Sequence, residues 1–507
     1  MFFPVVQDKA SIIENGKTMW HKTARETLLK LFEAGLAAVN PYSAVKRHVT
    51  LTSDAIVLKS VDCDVCSFPL KDIGKIYVVG GGKATASMAI ALEEILGDRI
   101  DAGFINVPDE QLKLDPPRLK RIRATGASHP LPNQAGVDGV RKMIILSQEA
   151  RSRDLVFCLI SGGGSALMPH PASGITLEDK RTLNKLMIEC GATIQEINIV
   201  RKHVSMVKGG WLARHFQPAR VVGLILSDVV GDDISTIASG PTAPDPSTFS
   251  EAVAIIEKYK LLDRIPVRVR KHYILGMRED VRETPKPEDR MFANVTNVII
   301  GSAQIAAKEI TRVATTFTNL ASVHLLSNKL EGEASEVGKV LHSLVMALAE
   351  RKSRVKLACG NVSTGGKGEF KVEYGDPGDA RVSTLMLLTG ETTVTVKGKG
   401  TGGRNQELLL SFLNASNPQS KVRFAMTSCG MDGIEGNSKA AGAIIDDLSL
   451  QHVTAKGIDL ARALSDNDSG TVFSAIGDAI ITGPTGTNVN DVTMILIDVP
   501  VKSMRAE

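Results

Sequence analysis

"KIYVVGGGKATASMAIALEEIL", from Lys75 to Leu96, reads as a strand, a turn and a helix in succession. Ile76 to Val79 is a short unbroken apolar run, as a strand buried on both faces requires. Three glycines then turn the chain, and Met88, Leu92 and Leu96 fall on one helical stripe. The same grammar returns in "DLVFCLISGGGSALM", with Leu155 to Ile160 as strand, and in "RVVGLILSDVVGDD", with Val221 to Leu226 as strand. Strands alternating with helices predict βαβ units and a mostly parallel sheet.

Upstream, "TARETLLKLFEAGLAAVN" (Thr23 to Asn40) predicts an amphipathic helix stopped at Pro41. Downstream, residues 266–293 are charged and proline-bearing, with no sustained apolar period, and read as a linker. Beyond them "NVTNVIIGSAQIAAKEI" predicts a strand and then a helix from near Ser302. Further strands are expected in "SVHLLS", "RVKLACG", "LMLLTGETTVTV", "RFAMTSCGMDG", "GAIID" and "TMILIDV", and a helix in "NQELLLSFLNA". "STGGKGEFKVEYGDPGDARV" reads as a solvated insertion. The expectation is two α/β domains, 20–265 and 294–500.

A chain of 507 residues exceeds the size at which a single core stops growing, about 250–300 residues. Aromatics are only 4% of it, which argues against a surface of stacked rings for single-stranded nucleic acid. Lys and Arg number 60 against 56 Asp and Glu, so no general nucleic-acid affinity is expected. Six cysteines make no disulfide scaffold. Cys63 and Cys66 form a CxxC, but no second pair completes a zinc site, and a reduced surface loop is the expectation. The first residues carry Asp8 and Glu14 and resemble neither a secretory nor an arginine-rich leader. No apolar run reaches the about 20 residues of a membrane span. A cytoplasmic protein without membrane contact is expected.

The glycine turns lie where strands end, and ligands of open α/β sheets bind there. Gly162, Gly163, Gly164 and Ser165, preceded by Ser161, read as an anion cradle, because amides opening a helix lack intrahelical acceptors. A tight turn needing positive φ is the plainer alternative. Lys83 stands inside the first turn beside Gly81 and Gly82. A cation at the positive end of a helix gains nothing structurally, so an anionic ligand is its natural partner. Asp228, Asp232 and Asp233 cluster after the third strand. They suit a hard cation such as Mg2+, or a base for a hydroxyl, with helix capping the bland role for Asp233. "KGKGTGGRNQELLL" places Arg404 where a loop opens a helix, fit to grip a carboxylate or phosphate. Gly402, Gly403 and Asn405 flank it, and Lys397 and Lys399 read as solvated. Asp432 and Glu435, then Thr485, Thr487 and Asn488, lie in two further glycine-rich turns. His129 is either a turn histidine or a substrate contact.

Six ordered segments carry a resemblance over about Thr23 to Val499: "VVGGGKATASMA", "LISGGGSALMPHP", "LILSDVVGDDISTIASGPTAPDP", "GTGGRNQELLL", "GMDGIEGNSKAAGAIID" and "GPTGTNVNDV". Together they resemble the class II glycerate kinases, also called the MOFRL family. The resemblance implies a Rossmann-like amino-terminal domain, a smaller α/β MOFRL domain and an active site in the cleft between them. It also implies transfer of phosphate from ATP, with Mg2+, to D-glycerate, in a monomer or homodimer, with the 2-hydroxyl as acceptor. Carried over motif by motif, Lys83, Asp228 and Arg404 become the catalytic set; the reading of the turns adds the rest, with Asp232 as the metal ligand. Gly81, Gly82, Ser161 to Ser165, Gly402, Gly403, Asn405 and Asp432 become nucleotide contacts. His129, Glu407 and Asn488 become substrate contacts. Departures include Cys429 and Met431 before Asp432, Asn437, Lys439 and Asn133.

Two rivals remain. A nicotinamide-dependent hydroxypyruvate reductase is suggested by Gly80 and Gly82 of a partial GxGxxG, with Asp101 about 20 residues on for a ribose. Thr85 stands in place of its third glycine. The other rival is a non-catalytic metabolite sensor.

Overall fold

The apolar run at Ile76 becomes strand β1, Ile76–Gly81, and all of its residues are buried. Around it lie β2 (Ile100–Pro108), β3 (Ile122–Ala127), β4 (Leu155–Ile160), β5 (Arg220–Leu226) and β6 (Val295–Gly301). The order across the sheet is β3-β2-β1-β4-β5-β6, and every pairing is parallel. This is the doubly wound order, with its reversal between β1 and β4. The first two glycine turns therefore leave neighbouring strands at the switch point. Tyr77, Val79, Val156, Cys158 and Ile160 pack one face against Val140, Met143, Leu212 and Phe216. The computed structural model describes residues 5–60, 64–114, 116–349, 354–356, 369–374, 383–417, 419–420, 422–498 and 501–506.

A satellite core joins the helices Leu177–Glu189, Ile194–Lys202, Phe249–Lys258 and Val267–Met277 through Leu183, Val200, Ile256 and Tyr273. The last of these helices corrects the expected linker. Val269, His272, Tyr273 and Gly276 recur three or four residues apart and are buried, although basic residues between them mask the stripe.

The second sheet contains β7 (Leu320–Glu333), β8 (Ser383–Thr393), β9 (Phe424–Gly430), β10 (Gly442–Asp446), β11 (Ala479–Ile480) and β12 (Asp491–Asp498). Their order is β7-β8-β12-β9-β10-β11. Only β7 and β8 pair in parallel; the other pairings are antiparallel.

Packing divides the chain into Pro41–Gly301 and a second unit in which residues up to Asn40 join those from Ser302 onward. The expected boundaries put the N-terminal helix with the first sheet; the helix Met19–Ala38 instead belongs with the second. Arg25, 0% exposed, fixes it there. Its Nε donates to Asp446 at 2.7 Å, and its Nη1 donates to Asp478 at 2.6 Å and to the Ile12 carbonyl at 3.1 Å. β6 likewise belongs to the first sheet, and the chain enters the second unit at Ser302, whose hydroxyl caps the helix Ala303–Ala314.

Most of the expected insertion, and Cys63, lie outside the described residues; Glu369–Tyr374 forms a strand. Cys66 is a free thiol whose pKa burial raises. Among the described residues no helix is long and apolar enough to cross a membrane.

Candidate functional site

The two turns at the switch point are built against each other. The Lys83 amide donates to the Gly162 carbonyl at 2.8 Å, and the Ala84 amide to Ser161 Oγ at 3.0 Å. A Cβ on Gly80 would lie 2.0 Å from the Leu159 carbonyl oxygen, and one on Gly82 would lie 2.1 Å from Ser161 Oγ. These glycines serve the contact between turns. Gly163, like them at positive φ (+79°), faces side chains and not the other turn's backbone. A Cβ there would sit 3.1 Å from His129 Cδ2 and 3.2 Å from Lys83 Cγ. Lys83, His129 and Gly163 thus meet at one point. Lys83 is exposed. Burial, and then the charge of Lys83, lower the pKa of His129 and favour its neutral form.

The helix after the second turn, Gly164–Leu167, is only four residues long, too short for the helix-end anion site expected there. What remains is a set of amides, those of Gly162, Gly163 and Ser165, which find no acceptor among the described residues. Ser165 Oγ meets Ser239 Oγ at 2.8 Å, and Ser239 donates onward to Asn198 Oδ1 at 3.0 Å. Ala238, Ser239 and Gly240 are successively left-handed, with φ of +51°, +62° and +65°. Such strain gathers at functional sites and needs surrounding structure to hold it.

The three aspartates separate in role. Asp233 accepts from the Ser235 amide, the Ser235 hydroxyl and the Thr236 hydroxyl at 2.8–2.9 Å; it closes a turn and caps no helix, because the expected helix is reduced to the short 3-10 turn Ile237–Ser239, which starts after Thr236. Asp228 is half-buried just beyond β5. Asp232 is left-handed at φ +59°, and its carboxylate receives no hydrogen bond from a described residue. Hard oxygens of that kind fit Mg2+, which takes one or two carboxylates with phosphate and water. Among the described residues no three His, Cys, Asp or Glu side chains gather as a metal site.

Around Arg404 the structure answers the sequence differently. Its Nε and Nη2 donate to Asp491 at 2.6 and 2.8 Å, and its Nη1 donates to Glu391 at 2.5 Å. Burial opposes its charge, but Asp491 and Glu391 outweigh that and hold its pKa above the usual value. Asn490 donates to the other Glu391 oxygen at 2.7 Å. Glu435 is buried and accepts from the Gln406 amide at 2.8 Å, at the start of the helix Arg404–Ala415. Burial raises its carboxyl well above the usual range against that hydrogen bond. This carboxyl occupies the place that sequence gave to a phosphate. Gly403 is small for the same reason, since a Cβ would lie 2.2 Å from Glu435 Cγ, and one on Gly402 would lie 2.2 Å from Ser469 Oγ. Glu407, expected on the substrate, is buried and accepts from Asn467 at 2.9 Å. Asn467 in turn accepts from the Lys397 and Gly398 amides, fixing that loop. Asp432 and Asn488 are half-buried, and Asn405 is buried. Asn405 Oδ1 accepts from Ser428 at 2.6 Å.

Sequence reasoning missed a group beside the second turn. A hollow of about 1020 Å³ is lined by His129, Gly163, Ser165, Arg181 and Arg201. Behind it Lys180, Lys202 and Lys208 are buried. The only sign in sequence is lysine amid apolar residues in "INIVRKHVSMVKGG". Asp101, offered for a ribose in the reductase reading, accepts from the Ile76 amide at 2.8 Å. It is the second residue of β2, at the end of the sheet away from the glycine turns, and this removes that role.

The first unit is a doubly wound α/β sheet with a lysine and bare amides at its switch point, and comparison with known proteins places the chain. Residues 27–273 match a family model described as a domain of unknown function (DUF4147), and residues 384–491 match the MOFRL family. The chain is 37% identical to a glycerate 2-kinase of Pyrococcus horikoshii over 93% of this chain and 97% of that one. It superposes on a crystal structure of glycerate kinase from Thermotoga maritima with a TM-score of 0.74 at 31% identity, covering 93% of this chain and 99% of that one. A relative from Agrobacterium vitis, 36% identical over 94% of this chain and 95% of its own, is provisionally named a hydroxypyruvate reductase. The chain belongs to the class II glycerate kinases.

Proposed function

We propose that this chain transfers the γ-phosphoryl group of ATP to the 2-hydroxyl of D-glycerate. The observation that carries the reading is the meeting of Lys83, His129 and Gly163 at the switch point, beside amides with no acceptor. Phosphoryl transfer needs positioning and neutralised charge more than covalent help. In this reading the O–P bond to the glycerate oxygen forms as the bond to ADP breaks. The hydroxyl proton leaves to Asp228, which orients the attacking oxygen. Lys83 and the bare amides stabilise the negative charge on the group in transfer. Neutral His129 contributes a hydrogen bond to substrate without adding charge. Asp232 would hold Mg2+, which supplies charge neutralisation on the phosphates when bound.

Arg404 and Asp432 enter the proposal through the family motifs, as residues that serve nucleotide and substrate. Arg404 already shares its charge with Asp491 and Glu391, so the role of neutralising the transferred group goes to Lys83.

Lys83→Ala tests the reading. Turnover falls by about 10²–10³, the typical loss for one preorganised electrostatic donor, while the melting temperature holds. Near-normal turnover removes Lys83 from the mechanism. NADH oxidation with hydroxypyruvate, in place of ATP consumption with glycerate, decides for the reductase.

A further inference from the structure

Four cationic side chains lie together beside the second glycine turn: Lys180, Arg201, Lys202 and Lys208. Lys208 Nζ donates to the Ser165 carbonyl at 3.0 Å, so this cluster backs directly onto the turn. Lys180 is 3% exposed, and its Nζ has no hydrogen-bond partner among the described residues; the same is true of Arg201 Nε. Neither has an ion pair there. Only Lys202 has a carboxylate, Asp245 at 3.5 Å. Asp233 is also near Lys202 and interacts with it electrostatically, but its hydrogen bonds go to Ser235 and Thr236.

Isolated charges are expensive to bury, so natural proteins pair them or give them a ligand. Were all four charged at once, the one carboxylate at contact distance could not balance them. Arg201 and Ser165 both line the hollow of about 1020 Å³, which gives an anion a way in. We infer that Lys180, Arg201 and Lys208 form a seat for an oxyanion of one reactant, either the glycerate carboxylate or a nucleotide phosphate. The inference rests on the kinase reading and adds residues that the six motifs do not contain. The electrostatics of the cluster agree with it. Burial, and then Arg201, push Lys180 down to about 7. Burial, and then Lys180, Arg201 and Lys202, push Lys208 well below its usual value. An arriving anion restores their charge.

Lys180→Met and Arg201→Met test the seat, since each removes a charge at similar volume. KM is measured for D-glycerate at saturating ATP and for ATP at saturating D-glycerate, with the melting temperature alongside. One of the two KM values rises at least tenfold while the melting temperature holds or increases. A rise for glycerate assigns its carboxylate to the seat, and a rise for ATP assigns a phosphate. Both KM values within twofold of wild type, in a folded variant, overturn the inference; normal turnover would then leave the kinase reading standing. The wild-type protein provides a second readout if a variant does not fold. Calorimetric titration at pH 8 with D-glycerate, and separately with ADP, in buffers of different ionisation heat reports protons taken up. The groups involved are Lys180, Arg201, Lys202, Lys208, Asp245 and the neighbouring His170. Uptake with one ligand is expected, and uptake with neither overturns the seat.

Discussion

Replacing Gly164 by alanine asks whether the spacing of the turns matters for activity. The new methyl would sit 2.7 Å from the Ala238 Cβ and 2.9 Å from the Gly81 carbonyl oxygen. Ordinary contact begins at 3.4 Å, so the turns must separate by about 0.5–0.7 Å. Both neighbours are held in place: Gly81 ends a buried strand, and Ala238 lies in a left-handed run with no slack. Overpacking of this kind costs about 1–3 kcal/mol. The displaced turn carries the free amides and Ser165, and a shift of about 1 Å in positioning groups can cost about 10²-fold in rate. A fall in kcat/KM of about 10–10² is therefore expected, with a melting temperature lower by several degrees. Gly174→Ala is the control for an added methyl without overpacking: the methyl would meet nothing within 4 Å, and the only strain is that of its own φ of +79°, which Gly164 lacks. It loses about 1–2 kcal/mol of stability and keeps its kcat/KM. Wild-type kcat/KM in folded Gly164→Ala refutes the reasoning that joins turn spacing to chemistry.

Two further predictions concern stability. Arg25→Met leaves Asp446 and Asp478 buried without their guanidinium and lowers unfolding free energy by about 3–5 kcal/mol in urea titration; a loss under 1 kcal/mol contradicts the pinning of the N-terminal helix. For Glu283, burial acts to raise the pKa, but hydrogen bonds from His203, the Phe249 amide and Lys286 outweigh it and depress the carboxyl to about 2. Its folded pKa is below its unfolded one, so its contribution is present above about pH 4.5 and is lost as pH falls towards 2. Discounted for partial exposure it is worth about 1–2 kcal/mol, so the gap between wild type and Glu283→Gln closes over that window, and a gap independent of pH rejects it.

The strand and turn pattern was legible because it is local. β4 spans the expected Leu155 to Ile160, and β5 starts one residue before the expected Val221. Pairs distant in sequence were not legible. Arg25 meets carboxylates 421 and 453 positions away, so nothing near it announced which sheet its helix joins. Arg404 read as a cation awaiting a ligand because Asp491 lies 87 residues on. The glycines before it read as room for phosphate because Glu435 comes from another loop. Lys180 and Lys208 carried no signal in sequence that set them apart, since only the packing of several segments buries them. For Asp233 the sequence left capping beside metal and base roles; a local role was the legible part, because its partners are two and three residues away.

Phosphorus NMR of the reaction of D-glycerate with ATP tests the central claim most directly. The account predicts that ATP resonances give way to ADP and to a phosphomonoester split by the proton on carbon 2. ATP left unconsumed, or a phosphomonoester coupled to the two protons of carbon 3, contradicts it.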